Sequence, residues 1–326
     1  MGTPNDARMA SNWTTAAGAL EGILHYLGMP LPRYAIMGLT GHAWHACLGR
    51  REDVVALPSG PVSLDWEAMV ERYARTGVRW ERFGGELPPG ESTDEIRQAA
   101  VEWAIARLDA GRPLIGWDFH LHEFGVVFDY SRAEKAFYVD SVLREEVGPI
   151  AHWRDWPSEA TRRIELFAPA EAFEPDPLET VIAALETAIA FLSGETGMDD
   201  EDVRGTAALE AWADALDGST EVDRPGNAYN LAVLQAARLD GADFLASLAE
   251  NIPELAEEIG AAERAIRDET KALAPLLTLF PFPTGGHGNV QNPGLREAAA
   301  NALRKAAQHE RTAQERLETV LAELRA

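Results

Sequence analysis

Apolar positions recur every three to four residues over 14–27, TTAAGALEGILHYL, where Ala16, Ala19, Leu20, Ile23, Leu24 and Leu27 line one face. That spacing predicts a helix. Thr14 or Thr15 suits its N-cap, and Gly28 its C-terminal stop. Two more helices are expected over 64–76 and 93–110, the latter closed by Gly111. Strand patterns follow in RPLIGWDF (112–119), EFGVVFDYS (123–131), KAFYVDS (135–141) and RRIELFAP (162–169). The short SRAEK connection makes the second and third of these a hairpin.

Beyond Pro169 the texture changes. The proline- and acid-rich stretch 169–177, PAEAFEPDP, reads as a boundary, with 171–177 as linker. Every later segment is helical in pattern, over about 178–192, 203–217, 226–249, 253–279 and 293–324. In the last, Leu295, Ala299, Leu303, Ala306, Ala313, Leu317, Val320 and Leu324 share a face, and Asn292-Pro293 is a strong start signal. The expected organisation is α+β: a domain over 1–170 with a small antiparallel sheet and packed helices, then an all-α bundle over 178–326. The 295–324 stripe suits a homodimer seam as readily as a core.

Charge narrows the partners. The formal net charge is −24, distributed as −7 over 1–170 and −17 over 171–326. Such a field repels phosphate backbones, which argues against nucleic acid. No apolar run reaches the roughly 20 residues of a membrane span, and the N-terminus lacks a secretory pattern. A cytoplasmic location is the expectation, in keeping with the single cysteine, Cys47.

The candidate chemistry gathers at HLHEFGVVFDY (120–130). Read as strand, this segment puts His120 and His122 on one face and Glu123 on the other. Two histidines alone do not make a metal site, and nothing in the spacing joins them to His42, His45 and Cys47, so no metal is assigned and no cofactor is expected. A histidine at a strand start with an acid on the next strand is a base with its orienter; His122 and Asp140 fit that pattern.

The combination TTAAGALEGILHYLG, GLTGHAWHA and HEFGVVFDYSRAEKAFYVDS resembles the N-terminal domain of the butirosin biosynthesis protein H family, within the papain-like, peptidase C39-like group. The likeness covers about 9–150. It implies a papain-like fold and acyl transfer from a carrier-protein thioester to an amine through a cysteine–histidine–aspartate relay. On this sequence the histidine falls on His122 and the acid on Asp140. The cysteine should open the first helix, among Ser11, Asn12, Trp13, Thr14 and Thr15, and none of these is cysteine.

The departure favours a pseudoenzyme that binds a small-molecule, acyl or peptide ligand. Asn12, Trp13, His42, Trp44, His120 and Glu123 are the expected binding residues. Trp117 could line the same pocket, with core packing as the plainer account. The alternative is an acyltransferase or an amide or thioester hydrolase in which His122 activates water or a hydroxyl, with Thr14, Thr15 or Ser11 as nucleophile.

Overall fold

The computed structural model describes residues 4–51, 54–55, 64–87, 92–195, 202–218, 221–286 and 288–326. The chain is α+β, and it divides into two compact units, Met1–Ile36 with Trp66–Pro175, and Met37–Asp65 with Asp176–Ala326. Its helices are α1 (Thr15–Tyr26), α2 (Arg33–Thr40), α3 (Ala68–Ala74), α4 (Ser92–Asp109), α5 (Arg144–Val147), α6 (Pro177–Ser193), α7 (Thr206–Asp217), α8 (Arg224–Asn251), α9 (Ala256–Leu279) and α10 (Pro293–Leu324).

The first unit is built on a six-stranded antiparallel sheet. Its strands are β1 (Val78–Glu86), β2 (Leu114–Trp117), β3 (Phe124–Ser131), β4 (Ala136–Asp140), β5 (Ile150–His152) and β6 (Arg163–Ala172), in spatial order β1-β6-β2-β3-β4-β5. Strand residues alternate between the two faces, and both faces are covered. Leu114, Val127, Val139, Leu166 and Ala168 pack under Ala100, Val101, Ala104 and Ile105 of α4. On the opposite face Phe124 and Phe167 meet Trp66, at ring-centroid distances of 4.6 and 6.2 Å. Tyr73 of α3 adds contacts to Phe167 and Trp80 at 5.5 and 5.8 Å. α1 lies against β2 and β3.

Two glycines let the N-terminal segment run along α1. A Cβ on Gly22 would sit 1.8 Å from the Arg8 carbonyl oxygen, and one on Gly18 would sit 2.4 Å from that of Ala10. The Ala10 amide donates to the Gly18 carbonyl at 3.0 Å. Backbone therefore approaches backbone where any side chain would intervene.

The second unit is helical. Asp176, Asp223 and Asn292 cap α6, α8 and α10 through their side chains, each followed by or close to a proline in the first turn. The stripe of α10 is core within this unit: Ala299, Leu303, Ala306, Ala313, Leu317 and Val320 are fully buried, with α7 and α9 alongside. Residues 37–65, assigned from sequence to the first domain, cluster here instead. The reason is apolar: Ala46 and Leu48 join Leu209 and Trp212 in the helical core, and Cys47–Leu48 pairs with Val203–Arg204. Nor is 171–177 wholly linker, since β6 continues to Ala172 and Asp176 begins the next helix. Among the described residues, no helix is long and apolar enough to cross a membrane.

One charged cluster is enclosed in the helical core. Arg238 of α8, Glu269 of α9 and Glu310 of α10 are all fully buried. Arg238 bonds to Glu310 and donates to the Ala43 carbonyl at 2.6 Å. Its Nε forms an ion pair with Glu269 Oε1 at 3.3 Å, and neither Glu269 oxygen accepts a hydrogen bond. One guanidinium cannot balance two carboxylates. Burial first, and then the neighbouring Glu310, push the Glu269 carboxyl well above the usual range. The folded state thus holds a proton that the unfolded chain releases, and stability must decline as pH rises above the ordinary carboxylate range. Urea denaturation at pH 5 and pH 8 is expected to show that decline, and Glu269→Gln is expected to flatten it; an unchanged slope in the variant would contradict the assignment.

Candidate functional site

Trp117 pairs with Phe124, so residues 118–123 form the loop joining β2 to β3. His120 and His122 therefore lie in a loop, and the strand alternation expected for them does not apply. Asp118 opens the loop at φ 67°, a left-handed conformation that aspartate tolerates better than most residues. Its amide donates to the Glu123 carbonyl at 3.1 Å, closing the loop on itself.

The Asp118 carboxylate is buried and collects three donors. His122 Nδ1 lies 2.7 Å from Oδ1. The Ser158 amide donates to Oδ2 at 2.8 Å, and the Thr161 hydroxyl donates to the same oxygen. A carboxylate accepts only, so neutral His122 carries its proton on Nδ1 and keeps the Nε2 lone pair. The His122 side chain is 52% exposed against 2% for Asp118. His122 makes no second hydrogen bond among the described residues. The result is an imidazole fixed from behind by a buried acid and open to solvent in front.

Asp140, expected as the orienter of His122, is used elsewhere. It pairs with Val126 on the α1 side of the sheet. Oδ2 accepts the Met9 amide at 2.8 Å, and Oδ1 accepts Arg144 Nη1 at 2.7 Å. Both oxygens are thus committed to holding the N-terminal segment and α5. The acid beside His122 is Asp118, four residues before it. That partner went unrecognised because i,i+4 proximity is a helix rule, and no helix pattern is present here.

The opening of α1 meets the same loop from the other side. The Thr15 hydroxyl donates to Glu123 Oε2 at 2.5 Å and accepts the Phe124 amide at 3.1 Å. Thr15 is buried, and its one proton is committed to a carboxylate rather than to His122. Thr14 is buried as the N-cap, without a side-chain cap bond, and its own amide donates to Asn12 Oδ1 at 2.9 Å. The Ser11 carbonyl accepts Arg33 Nη2 at 2.7 Å. Trp13 stands 45% exposed beside them.

His120 turns to different partners. Its Nδ1 is 3.1 Å from Ser141 Oγ and its Nε2 is 3.2 Å from the Ile150 carbonyl oxygen. Trp117 is buried against Phe124 at 4.9 Å, so it belongs to the core. His42 and Trp44 belong to the helical unit and are buried there. Trp44 packs on α8, where a Cβ at Gly241 would meet its ring at 2.9 Å. Cys47 is buried in that unit's two-residue strand. Among the described residues, no three histidine, cysteine, aspartate or glutamate side chains are grouped to hold a metal ion.

Comparison with protein-family models gives no match, and comparison with curated proteins gives none either. The geometry stands by itself: an Asp118–His122 dyad and a Thr15–Glu123 clamp at either end of one loop.

Thr15→Val keeps the side-chain shape but removes the hydroxyl that Glu123 accepts from and that the Phe124 amide donates to. It is expected to destabilise the protein by about 1–3 kcal/mol in urea denaturation, because the buried Phe124 amide then stays unpaired. A change below about 0.3 kcal/mol would show that the clamp contributes nothing.

Proposed function

We propose that this chain is a papain-like, peptidase C39-like protein of the butirosin biosynthesis protein H type that has lost its helix-borne nucleophile and acts as a binder of an acyl, peptide or other small-molecule ligand. The observation that carries this reading is the Thr15 hydroxyl. It occupies the helix start, where the family resemblance calls for a cysteine, yet it donates to Glu123 and accepts from Phe124. A hydroxyl held in this way tethers α1 to β3, with its proton directed to Glu123 and not to His122. The antiparallel sheet, with a helix start packed at the head of β3, supports the papain-like assignment.

The ligand face on this reading is the exposed His122 ring, with Trp13 as an apolar contact. His122 offers one lone pair at Nε2 and, when protonated, a donor to a carbonyl or carboxylate. With no cysteine among residues 11–15, the thiol relay that the resemblance implies has no nucleophile there. A cytoplasmic location belongs to the same proposal.

One feature favours a second reading. A buried acid fixing Nδ1 of a half-exposed imidazole is also how a general base is organised, so His122 could deprotonate water for attack on an amide or thioester.

Incubation with a series of acyl-pantetheine thioesters separates the two. Saturable binding is expected for at least one chain length, with residues 11–15 unmodified by peptide mapping and at least tenfold weaker binding in His122→Ala. An adduct on Thr14 or Thr15, or thioester hydrolysis abolished by His122→Ala, would overturn the binding role. Failure of every thioester to bind would remove acyl groups as the ligand class.

A further inference from the structure

The first unit holds a hydroxyl–imidazole pair that uses no residue of α1. Ser141 follows the last residue of β4, and its Oγ lies 3.1 Å from His120 Nδ1. The other ring nitrogen, Nε2, is 3.2 Å from the Ile150 carbonyl at the start of β5. A carbonyl only accepts, so Nε2 must carry the proton. Neutral His120 then has its lone pair on Nδ1, and the Ser141 hydroxyl donates into it. The backbone fixes the tautomer that makes the imidazole a base toward the serine.

Several exposed apolar residues flank the pair in sequence. Leu121, Val142, Val147 and Ile150 are 46, 46, 55 and 43% exposed. Leu121 adjoins His120, Val142 adjoins Ser141, Ile150 supplies the carbonyl, and Val147 ends the short helix α5 between them. Exposed apolar side chains next in sequence to His120 and Ser141, and on the residue whose carbonyl holds His120, suit an apolar ligand.

We propose that Ser141 and His120 form a nucleophile–base pair acting on esters or thioesters with an apolar acyl group. Ser141 Oγ attacks the acyl carbonyl and its proton passes to His120 Nδ1. The C–O or C–S bond to the leaving group then breaks, and His120 returns the proton to that group. Water, deprotonated by His120 in turn, attacks the acyl-serine, releases the carboxylic acid and restores the Ser141 hydroxyl. The pair needs no metal and no redox partner. It goes beyond the binding role of the α1 site and uses none of its residues.

An alkyl fluorophosphonate tests the pair on the wild-type protein. Attack by Ser141 displaces fluoride and leaves a stable adduct. Peptide mapping is expected to place one adduct per chain on Ser141. His120→Gln is expected to slow labelling by about 100-fold or more, the usual contribution of a general base. p-Nitrophenyl octanoate is expected to be hydrolysed faster than the acetate, and Ser141→Ala to abolish both reactions. No adduct on Ser141 after hours at millimolar reagent, or an unchanged rate in His120→Gln, would overturn the pair and leave the reading of Thr15 standing. An adduct on Thr14 or Thr15 would instead overturn that reading. Faster hydrolysis of the acetate would overturn the apolar substrate class.

Discussion

The candidate site rests on a single buried carboxylate. Asp118 leaves β2 in a left-handed conformation, binds back to the far end of its own loop, and gathers His122, the Ser158 amide and the Thr161 hydroxyl onto two oxygens. Without such partners a buried carboxylate is severely penalised, so the arrangement is specified as a whole. Satisfying Asp118 fixes the path of residues 118–123, and that path decides where His120, His122 and Glu123 reach. His122 is held at one nitrogen, His120 is turned to Ser141, and Glu123 meets Thr15.

A second constraint is the close approach of backbones along α1. Gly18 and Gly22 admit residues 8–10, whose Met9 amide then occupies Asp140. Asp140 is thus a structural acid holding the N-terminal segment to β4, with Arg144 as its counter-charge. Together with Thr15 it places two of the three positions that the family resemblance marks for chemistry into architectural use, His122 being the third. That shared reassignment is the strongest structural reason to regard the α1 site as a binding face.

Much of the architecture was legible in the pattern of apolar residues. The helix expected over 14–27 is Thr15–Tyr26, and that over 293–324 is Pro293–Leu324, because long periodic segments and proline-flanked caps report local physics. The SRAEK hairpin is present, with Ser131 paired to Ala136. The strand Val78–Glu86 was missed, since VRWERFGGE mixes charges with two glycines and its order comes from pairing with distant β6. The site was legible only in part. His122 was found through its neighbours in sequence, whereas Asp118 depends on Ser158 and Thr161, some 40 residues away. Asp140 has the right spacing for a relay, but spacing does not reveal that Met9 and Arg144 already hold it.

The most direct test of this account is the tautomer of His122, read from nitrogen-15 chemical shifts of the neutral ring. With Asp118 accepting from Nδ1, the proton is expected on Nδ1 in the wild-type protein, and Asp118→Ala should release that preference. A wild-type ring protonated on Nε2, or a ring indifferent to Asp118→Ala, would contradict the claim that Asp118 organises the site.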